Sequence, residues 1–302
     1  MTLYVRTNDG VDLAVYQRGD PERPTVLCVH GFPDDHTVWE GIVGELATTH
    51  HVVTFDVRGS GESGKPRAIA DYRLDQLADD IASVIARVAP DGGVHLVGHD
   101  WGSVQAWQVA TDPRMRDAIA SLTSIASPCL DEMPYWARDR VREGLRGWKA
   151  LAALWKMPLF MGPLAIPLLG PLICRMTIAD RIVNLAYRLE GNGTTRDARD
   201  RRQALDNRAA LKIYTANLVP RLLFPSRRHT DVPVLVLAPR QDVFIPPVAV
   251  RDISDRLAPN NRVQITAGGH WAAVSHPAEI AQHISTFVQE TDSHQPNFRR
   301  AQ

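Results

Sequence analysis

Three side chains in this sequence have the types and the order that covalent catalysis by a carboxylate would need. Asp100 stands in Val97-Gly98-His99-Asp100-Trp101-Gly102-Ser103, between an apolar run, Val94 to Val97, and a segment of helical character, Val104 to Ala110. Two glycines flanking a polar residue at such a junction predict a strand, a sharp turn and a helix. The central side chain would then sit on strained backbone that tolerates no bulk two residues to either side. Asp242 follows the apolar run Pro233 to Leu237, and His270 follows Gly268-Gly269 just past Arg262 to Thr266. A nucleophile, an acid that orients an imidazole, and the imidazole itself thus occur in that order along the chain.

Esterases and lipases carry serine at the bend of such a turn, in the pattern G-x-S-x-G. Here a carboxylate occupies that place. Attack by a carboxylate on an ester or amide gives an anhydride that reverts, whereas attack on a saturated carbon gives an ordinary ester that water can later cleave. The predicted substrate therefore carries an electrophilic sp3 carbon. A second turn, His30-Gly31-Phe32-Pro33-Asp34, follows the buried strand Thr25 to Val29 and is placed to aim N–H groups into the crevice at the strand ends. The N–H groups of Phe32 and Trp101 are the candidate oxyanion-hole donors. The competing reading of each motif alone is an ordinary turn.

These groups need a scaffold that brings several strand ends together. Leu3 to Thr7 and Leu13 to Arg18 flank Asn8-Asp9-Gly10, a hairpin signal, and predict an antiparallel pair at a sheet edge. His51 to Phe55 and Ile119 to Ile125 read as further strands, which brings the count to eight. Val38 to Ala47, the amphipathic stretch Leu74 to Val88 and Pro277 to Gln289 read as helices. Alternating strands and helices predict an α/β fold with a mostly parallel sheet covered on both faces. Gly59, Gly61 and Gly64 spell G-x-G-x-x-G after a strand, but Lys65-Pro66 follows where a dinucleotide-binding helix would have to open.

The alternation stops between residues 129 and 226, where the chain is helical in character, and resumes for 227–290; residues 291–302 read as a polar tail. Within that insertion, Met157 to Cys174 is uncharged but broken by Pro158, Pro163, Pro167 and Pro171, which suits the apolar lining of a lid and not a membrane span. Thr195 to Arg208 interleaves arginines with aspartates and reads as a solvated helix face.

The 302 residues carry 34 basic and 34 acidic side chains, so charge gives no reason to expect nucleic acid or an anionic membrane as a partner. Cys28, Cys129 and Cys174 are odd in number and widely spaced, suggesting neither a disulfide framework nor a metal site. With no secretory signal visible at the N-terminus, a cytoplasmic location is expected. Oligomeric state is not legible.

His30-Gly31-Phe32-Pro33, Asp56-Val57-Arg58-Gly59-Ser60-Gly61, Gly98-His99-Asp100-Trp101-Gly102 and Gly269-His270-Trp271 resemble the epoxide hydrolase and haloalkane dehalogenase branch of the α/β-hydrolase fold. The likeness covers residues 1 to about 290, with the helical insertion as the cap. Leu211-Lys212-Ile213-Tyr214-Thr215-Ala216-Asn217 is similar to a cap motif of actinobacterial epoxide hydrolases of the EphD type. The resemblance implies Asp100 as nucleophile, Asp242 and His270 as the pair that activates water, and Tyr214 as the donor to the epoxide oxygen. It implies an apolar epoxide and water as substrates and neither metal nor cofactor. In one respect the sequence departs from the family: the first of two expected cap tyrosines, counted back from Pro158, falls on Leu151. Tyr135 or Tyr187 could replace it, and Trp148 or Trp155, with Trp101, could serve as halide donors in a dehalogenase. Tyr135, Trp148, Leu151 and Trp271 are the further candidates for touching the substrate, and a non-catalytic ligand-binding protein of the same fold stays open.

Overall fold

The computed structural model describes residues 2–91, 93–152, 156–167, 169–175, 181, 184–186, 188, 190, 208–258 and 261–294. Eight strands form one sheet: β1 (Leu3–Arg6), β2 (Asp12–Arg18), β3 (Thr25–Val29), β4 (His51–Phe55), β5 (Val94–His99), β6 (Ile119–Ile125), β7 (Val234–Pro239) and β8 (Asn261–Thr266). Their order across the sheet is β1-β2-β4-β3-β5-β6-β7-β8. The hairpin β1–β2 is antiparallel and β2 joins β4 antiparallel, while β4, β3, β5, β6, β7 and β8 run parallel. This is the predicted α/β architecture. The hydrophobic runs of β5, β6 and β7 are buried at every position, as strands covered on both faces must be.

Register is what brings the chemistry together. Val29 of β3 pairs with Gly98 of β5, Gly98 with Ser124 of β6, and Ser124 with Val236 of β7. The carboxyl ends of these strands therefore lie on one rim, and the turns bearing Phe32, Asp100, Asp242 and His270 all leave from it. The chain steps from β3 to β4 on one side and then crosses to β5 on the other, so the crevice between β3 and β5 is the topological switch point of the sheet.

Helices α1 (Glu40–Leu46), α2 (Leu74–Val88) and α3 (Trp101–Ala110) cover the sheet together with α9 (Pro247–Leu257), α10 (Ala272–Ser275) and α11 (Pro277–His294). The segment between β6 and β7 contributes α4 (Met133–Arg142), α5 (Leu145–Ala152), α6 (Lys156–Ala165), α7 (Leu169–Arg175) and α8 (Lys212–Leu223), with no strand among its described residues. The proline-rich run becomes two short helices, and no described helix is long and apolar enough to cross a membrane.

Two elements differ from expectation. Helix α11 runs to His294, past the expected start of the tail, because Thr291 is buried and Asp292 meets His95 at 3.2 Å. Helix α9 has no counterpart in the sequence reading, although Ala249, Val250, Ile253 and Leu257 are buried at helical spacing. The tail beyond residue 294 and the arginine-rich residues 195–207 lie outside the described residues.

The insertion is tied to the sheet at a helix start. Arg73 cannot cap α2 with its side chain; instead Asn217 of α8 accepts from the N–H of Leu74 (2.8 Å) and donates to the carbonyl of Tyr72 (2.8 Å).

Candidate active site

Asp100 follows β5 directly and has φ 52° and ψ −125°, a conformation that costs a non-glycine residue roughly 1–3 kcal/mol and persists only where its surroundings impose it. The surroundings here are close. A side-chain carbon at Gly98 would lie 2.5 Å from the carbonyl oxygen of Gly102, and one at Gly102 would lie 2.0 Å from that of Val29. The two glycines let the elbow press against β3.

The turn after β3 is drawn just as tightly to the carboxylate. The N–H of Phe32 donates to Asp100 Oδ2 at 2.9 Å, and the backbone of Trp101 helps to hold that carboxyl below its usual range. A side-chain carbon at Gly31 would stand 2.3 Å from the same Oδ2, so only glycine admits this approach. His30 fixes the turn by donating from Nδ1 to the carbonyl of Gly31 (2.9 Å) and accepting at Nε2 from the N–H of Val57 (2.9 Å).

On the other side, His270 joins the two acids. Its Nε2 lies 3.3 Å from Asp100 Oδ1 and its Nδ1 lies 2.9 Å from Asp242 Oδ2. The second oxygen of Asp242 accepts from the N–H groups of Phe244 (2.8 Å) and Ile245 (2.9 Å), which fixes the acid's direction. Burial opposes a charge on the imidazole, but the carboxylates of Asp242 and Asp100 outweigh it and hold the His270 pKa well above its ordinary value. Burial likewise opposes ionisation of Asp100, yet the His270 hydrogen bond and charge keep that carboxyl below its usual range. The two acids that flank His270 thus favour a proton on its ring.

Tyr214 enters from α8. Its buried ring stands edge-on to the rings of Trp101 (4.8 Å between centroids) and Phe32 (5.4 Å). Beside Asp100 lies a small cavity walled largely by apolar groups, including Val104 and Ile245 from the core side and Leu130, Met133 and Met161 from the insertion.

The remaining candidates fall elsewhere. The indole N–H of Trp271 donates to Asp34 Oδ2 at 3.1 Å, and its ring packs in the core beside His270. Tyr135 donates to the carbonyl of Pro225 (3.0 Å) under the guanidinium of Arg227, and is occupied structurally. Trp148 is 57% exposed on α5, and Leu151 packs against the core cluster, so neither lines that cavity. Tyr187 and Trp155 lie outside the described residues.

Sequence reasoning missed three participants. His99 donates from Nε2 to the carbonyl of His270 (2.7 Å); it sits in the elbow motif but had no evident partner. Asn217 was visible only as part of the cap motif. Glu190, buried in the insertion, accepts from the N–H of His270 at 2.8 Å, and no local pattern marks it.

Comparison with known proteins agrees with this architecture. The α/β-hydrolase fold profile matches residues 24–277. The EphD protein of Mycobacterium tuberculosis, named a probable oxidoreductase, is 33% identical over 98% of this chain, which spans 51% of that protein. Epoxide hydrolase 1 of Caenorhabditis elegans is 24% identical over 92% of this chain and 68% of its own length. The chain therefore spans about half the length of the EphD proteins it matches. Among solved structures, a Bacillus megaterium epoxide hydrolase in complex with an inhibitor superposes with a TM-score of 0.76 at 24% identity, covering 95% of this chain and all of that one. An epoxide hydrolase from Vigna radiata superposes with a TM-score of 0.74 at 20% identity, over 96% and 98% of the two chains. Since the profile takes in the β3 turn, the elbow, the insertion and both later loops, the chain belongs to the α/β-hydrolase fold family.

Proposed function

We propose that this chain opens an apolar epoxide to a vicinal diol through an ester on Asp100, within a cap formed by residues 129–226. The observation that carries the reading is a carboxylate, and not an alcohol, at the strained elbow, with one oxygen on the Phe32 N–H and the other facing His270. Relatives named epoxide hydrolases, such as that of Caenorhabditis elegans, and the epoxide hydrolase structures support the same chemistry, although the EphD proteins are named probable oxidoreductases.

The geometry divides the labour between the two oxygens. Oδ2 already occupies the site where an oxyanion would be stabilised, so Oδ1 is the nucleophile. It attacks an epoxide carbon while Tyr214, protonated as a phenol is at neutral pH, donates its proton to the opening oxygen. The product is a hydroxyalkyl ester whose carbonyl oxygen is Oδ2.

Esterification removes the charge of Asp100 and with it one of the two carboxylates that hold the proton on His270. The imidazole pKa falls, His270 yields its proton through solvent to the phenolate that ring opening left on Tyr214, and the neutral imidazole becomes a competent base, still oriented by Asp242. It takes a proton from water as the water oxygen bonds Cγ; the charge collects on Oδ2 against the Phe32 and Trp101 N–H groups. The Cγ–Oδ1 bond then breaks, and the leaving alkoxide recovers the proton from His270.

One observation favours a second reading. The Trp101 indole N–H is buried without a hydrogen-bond partner among the described residues, and a dehalogenase would use such a donor for the departing halide. Single-turnover reaction in 18O-water separates the possibilities. The ester route puts label into the Asp100 carboxylate, and diol formation without that label rules it out. Halide release from a haloalkane in place of diol formation selects the dehalogenase, and binding without turnover of either substrate selects a ligand-binding protein.

A further inference from the structure

Glu190 is a buried acid that the mechanism leaves unused. Glu190, in the insertion, is 2% exposed, and its Oε1 accepts two backbone N–H groups: His270 at 2.8 Å and Val243, the residue after Asp242, at 3.3 Å. A single oxygen thus joins the loop that carries the base to the loop that carries the acid. Gly269 is shaped for the contact, since a side-chain carbon there would lie 2.0 Å from Glu190 Cδ. Oε2 is buried with no hydrogen-bond partner among the described residues. Leaving a carboxylate oxygen unpaired inside a protein costs several times what an ordinary hydrogen bond returns, so stability alone gives little reason for an acid here. The segment is anchored close by: the N–H of Glu190 donates to the carbonyl of Ala186, which is buried in the same cluster as Trp271.

We propose that Glu190 is a positioning residue for the water-activating half of the reaction, by which the insertion holds His270 and Asp242 in line with the Asp100 ester. The inference rests on the epoxide hydrolase reading. Glu190 touches neither Asp100 nor the Phe32 donor, so it bears on ester hydrolysis and not on ester formation. Loops freed by about 1 Å can cost roughly 10²-fold in a step that needs alignment, so the expected loss is of that order and confined to the second step.

The test compares wild type with Glu190→Ala, Glu190→Gln and Gly269→Ala. In Glu190→Ala, ester formation measured by rapid quench should stay within about threefold of wild type, while ester hydrolysis slows and alkylated enzyme accumulates by intact-protein mass spectrometry. Glu190→Gln keeps an amide oxygen for both N–H groups and should restore most of the hydrolysis rate. Gly269→Ala displaces the carboxylate without removing it and should reproduce the alanine defect if Glu190→Ala fails to fold. Equal slowing of both steps, no slowing, or a glutamine variant no better than alanine would overturn the proposal.

A second readout needs no substrate. The low-field proton resonance of His270 Nδ1–H on Asp242, assigned by its loss in His270→Gln, should shift or broaden in Glu190→Ala and return in Glu190→Gln. An unchanged resonance in Glu190→Ala counts against the positioning role. Wild type that shows the resonance but never converts an epoxide sinks the functional reading, while the resonance still judges Glu190.

Discussion

Strands β5, β6 and β7 are buried along their whole length, whereas the insertion leaves Leu145 85%, Trp148 57% and Leu172 49% exposed. The two regions also contribute different kinds of group to the site. The sheet supplies Asp100, Asp242, His270 and the oxyanion donors, each fixed by backbone geometry at a strand end. The insertion supplies side chains, Tyr214, Met161 and Glu190, that reach in from helices and turns. The atoms to which the proposed reaction assigns bond making and breaking sit where register and close-packed glycines leave little freedom. The groups from the insertion reach the same place by side-chain packing, Tyr214 against Trp101 and Phe32 and Glu190 against the backbone of His270 and Val243.

That division can be broken from the sheet side with the largest effect. Asp100→Asn should abolish diol formation, with kcat down by about 10⁴-fold or more, while retaining the fold as judged by thermal unfolding. His270→Gln should leave ester formation nearly intact and slow ester hydrolysis by roughly 10²–10⁴-fold, so the alkylated protein should be isolable. The pH dependence of that second step in wild type sharpens the point. Asp100 and Asp242 together raise the His270 pKa in the free enzyme, so ester formation relieves part of the shift. The rate of ester hydrolysis should therefore rise with pH through an imidazole pKa lower than the one measured by titrating the free enzyme. An equal or higher value would show that Asp100 does not govern the base.

From the insertion side the effects are smaller. Tyr214→Phe should slow ester formation by about 10²-fold and leave hydrolysis of a preformed ester unchanged, which rapid-quench kinetics resolves. Asn217→Ala should cost about 1–3 kcal/mol in denaturant unfolding, because it orphans the N–H of Leu74 and the carbonyl of Tyr72, with little change in chemistry. Phe224→Ser, at a side chain 80% exposed, should move stability by less than about 0.5 kcal/mol.

The same contrast explains what the sequence made legible. The elbow could be read because Gly98, Asp100 and Gly102 are local: strand, bend and helix lie within one short window. Asp242 and His270 could be read because each follows an apolar run by a few residues. Glu190 could not, since its partners lie 53 and 80 residues further on and the residues around it carry no periodicity. Buried charge was invisible for the same reason. Asp80 lies on the apolar face of α2 and takes two hydrogen bonds from Arg58, itself buried just before Gly59 in the loop after β4. Trp271 misled in the opposite direction. Its neighbour His270 faces the reacting groups, but the next side chain along the turn points back to Asp34, so adjacency in sequence did not mean adjacency to substrate.

The bond from Asn217 to the start of α2 bears on how a ligand enters. Lifting α8 would strip a helix of its cap and leave two backbone groups without partners, so this element behaves as fixed masonry of the chamber and not as its door. Tyr214, one turn earlier on α8, is then fixed in place before any substrate arrives. Under the proposed reaction, substitutions that change substrate size are expected in the stretch carrying α5, α6 and α7.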